Sequence, residues 1–596
     1  MSSAVKNIKT NLSKASLQDI LYLILLGCII IFFLAINSGF LSVNYLTSLT
    51  VFFLTLSIVF LLWLSLLSTD RGPSIELRFA RVALMPILIL LFLIPYKFFY
   101  AQMEGMQPLA CLGIIFSGVI VFYTILKRDI NKLIPLRFTI PVLLVIYVVY
   151  FGAIGVLRHL NYQDASSFDV GLYSQIQWNN IHGHFFHSSC SGSNFVTHNS
   201  PFLILLAPFY LIYPHPQTLL ILKSLFLVFS VIPFYLILKH YVNKSSILPL
   251  ILGYLFFPFI VGQNFDAPHE TCFLPPFLLF SFYFYIKGRF KSFLFFLLLS
   301  LSVKEHMALI SIMYGLYSFY LKKEKQWIIV PLLLGLAWGV FSMWIIYHFQ
   351  TIYHVDPYPA WLIDNIKRRF LRPDHSLWAN VIWGVQTSVM GHWSNFRSIY
   401  LLLSPACVIL PFLSSIWILG LPELVINLLA TIPLSYPTWH YDIVVSIFLL
   451  IASASAIKKL SSNKFFGQWG LSSDKLQELF SWFLCICILS HFLLWWDFTN
   501  IKRNPRYVET MNAAIRLIPQ ESSVSLMKHL VAHVSDKKDY FLCEDKRKGD
   551  YIVLDKDEKM EDCINDIKRA KGYIRIFQKD GIRVYKNTTK RREQSP

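Results

Sequence analysis

Residues 139–157 read TIPVLLVIYVVYFGAIGVL, an apolar run that contains no charged side chain. A helix that spans a bilayer needs about 20 such residues, because each residue adds only about 1.5 Å along the helix axis. Similar runs recur through the chain of 596 residues, of which 55% are hydrophobic and only 15% charged. A soluble globular protein would carry about 25% charged residues. The sequence therefore predicts an all-α polytopic membrane protein with about 13–15 spans.

Further apolar runs lie on both sides of this stretch. They are found at 17–37, 46–68, 82–99, 108–126, 217–238, 247–262, 272–286, 292–321, 327–348, 398–413, 415–432, 442–457 and 478–497. Ser200–Tyr213 is short and carries two prolines, which favours a re-entrant or interfacial helix over a crossing. The run 292–321 is too long for one upright span and is interrupted at Lys304-Glu305-His306. We expect a hairpin of two short helices there.

The basic residues predict the orientation of the helices. The formal net charge is +19, and the basic side chains fall in short clusters between apolar runs, as they do in cytoplasmic loops. This distribution argues against nucleic acid as a partner. With the N-terminus in the cytoplasm, the polar segments 158–200, 262–271 and 349–397 lie on the outer face.

The composition changes at about residue 498, where the chain becomes polar. Val524–Val534 has helical spacing, 550–554 is β-like, and 560–570 is again helical. Alternating segments on both sides of Lys579-Asp580-Gly581 indicate a β-hairpin. The chain thus divides into N-terminal transmembrane helices at 1–138, a transmembrane core at 139–497, and a small α/β domain outside the membrane at 498–596, with a loose tail.

Two cysteines, Cys543 and Cys563, lie in this C-terminal domain. The predicted compartment permits disulfides. Spacing alone does not decide between a bridge and two free thiols.

Ionisable residues at a membrane are costly and need a reason, and the first outer segment carries several. Asp169 follows closely on the end of a span, with Gln175, Trp178 and His198 further along. A carboxylate in this position can be a general base towards a hydroxyl group, or a metal ligand. An aspartate can also cap a helix that begins just after it, and the spacing slightly favours that structural role.

A second outer segment places Asp266, His269 and Glu270 within five residues. Two carboxylates and an imidazole suit a divalent cation or an acid–base pair. A solvated turn around Pro268, with its charges in water, explains the same residue types equally well.

Lys304 and Glu305 stand between the two halves of the predicted hairpin. The two side chains could neutralise each other at a helix junction. Alternatively, Lys304 could bind a phosphate as a point charge. A basic residue at the outer end of the hairpin is on the wrong side to be an orientation signal, which favours the functional interpretation.

The loop 349–397 is aromatic and basic, with Arg368, Arg369 and Arg372 in a cluster. Arginine clusters bind phosphate, and most of the tryptophans are explained by the membrane interface. His440 stands at the outer start of a span, as a part of the same cavity or as an interfacial anchor.

The segment 168–179 reads Phe-Asp-Val-Gly-Leu-Tyr-Ser-Gln-Ile-Gln-Trp-Asn. It resembles the "FDLGLFDQALWN" signature of the DUF2079 family of predicted membrane proteins of bacteria and archaea. The resemblance covers roughly residues 140–590. Its further motifs are His198-Asn199-Ser200-Pro201, Leu206–Tyr210, Phe265-Asp266 with His269, Lys304-Glu305, Leu421-Pro422-Glu423-Leu424, and Ile518-Pro519 with Ser523-Val524 and His533. The helices before residue 139 are additional to the usual family core or differently arranged.

The family is similar to GT-C glycosyltransferases, which use polyprenyl-phosphate sugars. This resemblance implies that Asp169 is catalytic, with Asp266, His269, Glu270 and His198 supporting the acceptor or a divalent cation such as manganese or magnesium. Residues expected to hold the donor phosphate are Lys304, Arg368, Arg369 and Arg372, and further site candidates are Gln175, Trp178, Glu305 and His440.

The expected partners are a lipid-linked sugar donor, membrane lipids, and a glycan, lipid or protein acceptor. The expected location is the cytoplasmic membrane of a prokaryote. A transporter or lipid flippase that uses the same charged cavity is the alternative, although no inverted repeat is visible in the hydropathy pattern.

Overall fold

The computed structural model describes residues 136–164, 166–355, 399–429, 440–467, 471–493, 504–543, 549–555 and 572–588, with residues 367, 376, 379, 380, 383 and 501. The predicted helices before residue 136, most of the loop 356–398, the segment 556–571 and the tail after residue 588 lie outside this set. Arg368, Arg369, Arg372 and Cys563 are therefore outside the described residues.

Helices form most of the described residues between Leu136 and Leu493. In chain order they are α1 (Leu136–Leu160), α2 (Ser167–Ile181), α3 (Ala207–Ile212), α4 (Pro216–Phe229), α5 (Val231–Tyr241), α6 (Ile247–Phe256), α7 (Pro258–Val261), α8 (Pro275–Ile286), α9 (Phe290–Val303), α10 (Met307–Tyr320), α11 (Lys325–Tyr353), α12 (Leu421–Leu429), α13 (Ile443–Ser461), α14 (Lys464–Gly467) and α15 (Ser473–Leu493). A two-stranded ribbon, β1 (His187–Ser188) with β2 (Gly192–Ser193), lies between α2 and α3.

Four of the described helical segments are long and apolar enough to cross a membrane. They are Leu136–Leu160, Pro216–Tyr241, Lys325–Tyr353 and Ile443–Ser461, and a fifth candidate, Lys244–Phe256 with Pro258–Asn264, is bent by 52°. The polytopic helical class is thus confirmed. Pro201–Ile212 is a short apolar helix, in line with the prediction that it does not cross.

The predicted spans at 398–413 and 415–432 are not continuous helices. Short 3-10 helices occupy Ser404–Ala406, Leu410–Leu413 and Ser415–Gly420, ahead of α12. Pro405 and Pro411 lie in the first two of these. Each proline lacks a backbone N–H and disfavours helical geometry at the preceding residue, so the run is broken into pieces.

The predicted hairpin at 292–321 is confirmed. Helix α9 ends at Val303 and α10 begins at Met307, so the break falls at Lys304-Glu305-His306. The ring centroids of Phe293 and Tyr314 lie 5.1 Å apart, although 21 residues of continuous helix would separate them by about 30 Å. The two helices therefore run antiparallel, and the charged triplet stands at their tip.

A mixed sheet forms the C-terminal domain behind helix α16 (Pro505–Arg516), and its strands are β3 (Ser523–Leu526), β4 (Asp539–Leu542), β5 (Tyr551–Leu554), β6 (Tyr573–Lys579) and β7 (Ile582–Asn587). The strand order is β4-β3-β5-β7-β6, with parallel pairing among β4, β3 and β5 and antiparallel pairing beyond. The predicted hairpin at Asp580-Gly581 is confirmed, and both turn residues have positive φ. This geometry is typical of a tight hairpin turn.

The prediction of helical spacing over Val524–Val534 is wrong for its first part. Residues Ser523–Leu526 form the buried central strand β3, and only Lys528–Val534 is helical, as a 3-10 helix. The four residues of β3, Ser-Val-Ser-Leu, do alternate, but the pattern is too short to distinguish a strand from the helical spacing that follows it.

This domain packs directly on α2. A Cβ atom at Gly171 would lie 2.5 Å from Val531 Cγ1 and 2.8 Å from the backbone N of Ala532, so only glycine allows this approach. The Ala532 N–H donates to Ser167 Oγ over 3.2 Å, and the hydroxyl groups of Ser535 and Ser174 are hydrogen-bonded at 2.9 Å. The domain is thereby held beside the N-terminal half of α2.

Cys543, the residue after β4, is disulfide-bonded. Its partner is not among the other cysteines of the described residues, which are free thiols.

Candidate functional site

Asp169 lies in the first turn of α2 and has a structural contact as well as an open side. Ser166 is the N-cap: its hydroxyl accepts a hydrogen bond from the Asp169 N–H at 3.3 Å and donates one to the Asp169 carboxylate. Asp169 is therefore not the cap residue itself but stands three residues after it, bound to the cap hydroxyl through both its backbone N–H and its carboxylate. Its side chain is still 30% exposed, which leaves one side of the carboxylate free to meet a ligand.

The second outer segment is buried, so the interpretation of a solvated turn is wrong. His269 and Asp266 are each 9% exposed, and Glu270 is fully buried. His269 Nε2 lies 3.9 Å from an oxygen of Asp169 and 3.9 Å from an oxygen of Asp266. The imidazole thus stands between two carboxylates from different segments, one on α2 and one on the loop after α7.

Lys304 and Glu270 form a buried ion pair at 2.8 Å. The Tyr173 hydroxyl donates to the other oxygen of Glu270 and lies 3.4 Å from His269 Nδ1. Burial alone would raise the pKa of Glu270, but the Lys304 ammonium, with His198 and His269, holds it well below its usual range. Glu270 is therefore a carboxylate, and its charge fixes the position of the lysine.

Two further candidates, His198 and Glu305, bind each other at 2.9 Å. Glu305 also accepts a hydrogen bond from the backbone N–H of Asn199 at 3.2 Å. This contact joins the tip of the hairpin to the segment after β2. Neighbouring Lys304 and Glu305 are thus not a self-neutralising pair, because each has a partner from another part of the chain.

Gln175 and Trp178 have different surroundings on α2. Gln175 is buried and makes two hydrogen bonds to Ser189, at 2.7 and 2.9 Å, which hold the β1–β2 ribbon against the helix. Trp178 lines a cavity of about 530 Å³ between the end of α2 and the C-terminal domain. The other lining residues are Asn179, His182, His184, His187, Gln520, Glu521, Asp536, Lys538 and Asp539.

Tyr173 and Lys223, which are not among the sequence candidates, also belong to the site, as does Tyr441, the neighbour of the candidate His440. Tyr173 follows Asp169 by four residues and so lies on the same face of α2. Tyr441 feels the charges of Lys304, Glu270 and Asp169, and so lies among them. Lys223, buried in α4, donates to the backbone carbonyl of Asp266. A lysine inside an apolar run is itself a signal of function, and it could have been recognised.

His306 stands beside Glu305 at the tip of the hairpin and adds a further polar contact to the site. Its Nε2 lies 3.6 Å from an oxygen of Glu423, which accepts a hydrogen bond from the Val445 N–H at 2.7 Å. Burial, with the nearby Lys304 charge, lowers the pKa of His306 to about 4. His306 is therefore neutral at physiological pH, and Lys304 supplies the positive charge at this tip.

Asp169, Asp266 and His269 offer carboxylate and imidazole ligands, which together fit manganese, zinc or iron better than calcium. The ligand atoms of these three residues do not all lie within 4.8 Å of one another. Within the described ranges, a single group of His, Cys, Asp and Glu residues meets that distance, and it lies in another part of the molecule. The divalent cation expected here stays a prediction. The side chain of His440 and the arginines of the 349–397 loop lie outside what the structure describes.

The model of the DUF2079 family, described as a predicted membrane protein, matches residues 158–584. The chain belongs to the DUF2079 family. The matched region begins in the last turn of α1, includes α2 and extends into β7, the last strand of the C-terminal sheet. The signature of the DUF2079 family at 168–179 therefore corresponds to α2, with Gly171 at its contact with the C-terminal domain.

Two solved structures of ArnT from Cupriavidus metallidurans are similar to this chain. The structure bound to undecaprenyl phosphate has 9% sequence identity and a TM-score of 0.46, and the match covers 76% of this chain and 99% of that chain. The apo structure has 10% identity and a TM-score of 0.39, with 74% and 97% covered. No curated protein matches the chain.

Proposed function

We propose that this protein is an inverting glycosyltransferase that moves a sugar from a polyprenyl-phosphate donor to an acceptor on the outer face of a prokaryotic cytoplasmic membrane. The observation that supports it best is the position of Asp169. Its carboxylate is partly exposed, while His269, Glu270 and Lys304 behind it are buried. Ionisable groups are costly next to an apolar membrane core. Their grouping here therefore favours a site for polar chemistry on a substrate that is carried by a lipid.

In the proposed reaction, Asp169 is the general base. The acceptor hydroxyl gives its proton to the carboxylate while its oxygen attacks C1 of the donor sugar. The bond between C1 and the phosphate oxygen breaks, and its electron pair leaves with the polyprenyl phosphate. The Ser166 hydroxyl and the His269 imidazole hold the carboxylate in place, and such positioning is a large part of what an enzyme contributes to catalysis.

The leaving phosphate gains negative charge, which fixed cations stabilise most strongly where water is excluded. We assign Lys304 to this role, with Glu270 and Tyr173 setting its position. Because Glu270 already balances the charge of Lys304, further cations are needed. We assign these to the basic cluster Arg368, Arg369 and Arg372.

The cavity lined by Trp178 is the proposed path of the acceptor. Trp178 follows Asp169 by nine residues on α2, which is about 13 Å along the axis. Carboxylate, amide and imidazole groups line the cavity together with the indole ring. This combination suits a polar acceptor such as a glycan, with hydroxyl groups to bind and a ring face to stack.

The experiment uses cells that lack the protein and are then given variants. The lipid and glycan profile of the deleted strain identifies the missing sugar, and Asp169→Asn should fail to restore it, with transfer reduced about hundredfold or more. Ser166→Ala is the matched control, because it removes the capping partner and keeps the carboxylate. A cap is worth about 1 kcal/mol, so this variant should lose less than about tenfold.

Membrane levels of each variant are measured alongside the profile. Normal sugar transfer by Asp169→Asn would disprove the role of general base. An equal loss in Ser166→Ala would show that the structure of the first turn of α2, and not the carboxylate of Asp169 as a base, determines the rate of transfer. A deleted strain with an unchanged profile would overturn the transferase itself.

A further inference from the structure

A second polar cluster lies where the transmembrane core meets the C-terminal domain. It consists of His159 near the end of α1, Asp164 in the following turn, and His533 in the 3-10 helix Lys528–Val534. Their ligand atoms all lie within 4.8 Å of one another. His159 Nδ1 is 2.9 Å from Asp164 Oδ2, and His533 Nε2 is 3.9 Å from the same oxygen.

The cluster is enclosed, and one of its ring nitrogens has no hydrogen bond. The side chains of His159 and Asp164 are 4% and 3% exposed, and that of His533 is 10% exposed. His533 Nε2 is buried and has no hydrogen-bond partner within the part of the chain that the structure describes. A buried polar atom without a partner is costly unless a ligand satisfies it.

We propose that His159, Asp164 and His533 bind a divalent transition-metal ion of the zinc class. Two imidazoles and one carboxylate are a common zinc ligand set, with a water molecule in the fourth position. The two nitrogen ligands disfavour magnesium and calcium, which prefer oxygen. The site is separate from the Asp169 group, and it does not depend on the proposed sugar transfer.

Metal binding requires a rearrangement of one ring. The imidazoles of His159 and His533 are stacked, with centroids 4.3 Å apart and planes within 3° of parallel. In-plane lone pairs of parallel rings do not converge on one point. The Tyr162 ring stacks on His533 at 3.8 Å, which leaves His159 as the ring that turns out of the stack.

A metal ion at this position would link the two parts of the molecule. His159 and Asp164 belong to the transmembrane core, whereas His533 directly follows Ala532, which contacts α2. Asp164 precedes the N-cap Ser166 by only two residues. The ion would therefore fix the C-terminal domain beside the start of α2.

The test measures metal content in the purified full-length protein without an affinity tag. The protein is saturated with zinc, dialysed, and analysed by mass spectrometry for metal per chain. We expect about one ion more per chain in the native protein than in His533→Ala or His159→Ala. His529→Ala is the matched control, because His529 lies in the same 3-10 helix but binds Asp555 at 3.1 Å.

The thermal midpoint gives a second readout that does not depend on sugar transfer. Zinc should raise the midpoint of the native protein and of His529→Ala, and should not raise that of His533→Ala. Size-exclusion chromatography confirms that each variant is folded. Native protein without retained zinc, or an equal loss of zinc in His529→Ala, would overturn the proposal.

Discussion

The ion pair of Lys304 and Glu270 is the residue-scale feature on which the geometry of the site depends. Both side chains are almost completely removed from water, at 8% and 0% exposure. Removing two charges from water costs several kcal/mol for each ion, and their attraction offsets this only when both partners are present. The pair therefore fixes the lysine in place more than it adds to stability.

The two substitutions should be strongly non-additive. Lys304→Met alone leaves the Glu270 carboxylate buried without its cation and should destabilise the protein by about 3–5 kcal/mol. The double variant Lys304→Met with Glu270→Gln should be closer to the native protein than this single variant, because no charge is left uncompensated. Thermal midpoints in detergent check this. A double variant less stable than the single one would contradict the dependence of Glu270 on Lys304.

At the scale of elements, the contact between α2 and the 3-10 helix Lys528–Val534 unites the membrane core with the sheet domain. The helix carries Asp169 at its start and Gly171 two residues later, so one turn serves both the candidate chemistry and the docking of the domain. Ser167 Oγ and Ser174 Oγ add hydrogen bonds along the same contact. The small residues in the signature thus have a packing reason that is separate from catalysis.

Gly171→Ala should loosen the C-terminal domain. The added Cβ would meet the backbone of Val531 at 2.7 Å, and backbone cannot move aside as a side chain can. We expect faster limited proteolysis between the core and the domain, with the membrane helices intact. Gly152→Ala in α1 is the control, since its nearest neighbour would be 4.0 Å away. Equal proteolysis of the two variants would contradict the tight contact.

At the scale of the whole molecule, the cavity of about 530 Å³ exists only because the sheet domain packs beside the end of α2. Trp178 comes from the core, whereas Gln520, Asp536 and Asp539 come from the domain. The proposed acceptor path is therefore shared between the two parts of the chain. Docking of the domain should affect acceptor binding more than donor binding.

Trp178→Ala should raise the KM for the acceptor about fivefold, because an aromatic contact is worth about 1 kcal/mol. The kcat should change little, since the tryptophan is remote from the reacting atoms. Trp344→Ala, on an exposed face of α11, is the control and should leave both constants unchanged. Initial rates at varied acceptor concentration separate the two effects. A loss confined to kcat would contradict the assignment of the cavity.

The sequence by itself determined the properties that depend on composition and local pattern. Apolar runs of sufficient length predict spanning helices, the charged triplet at 304–306 predicts the break in the hairpin, and Asp580-Gly581 predicts the β-turn. Each of these follows from residues close together in the chain, because helix length, helix interruption and turn geometry are local. Strand β3 is not predicted because its alternating pattern covers only four residues and runs directly into the helical spacing that follows.

Only the tertiary structure decided which polar side chains meet. Tyr173 and Glu270 are 97 positions apart, and Ser174 and Ser535 are 361 apart, yet each pair is in hydrogen-bond contact. No local pattern encodes such contacts, because they arise when separate helices and a sheet pack together and exclude water. The partnership of Lys304 with Glu270, and the meeting of His533 with His159, became visible only in the folded chain.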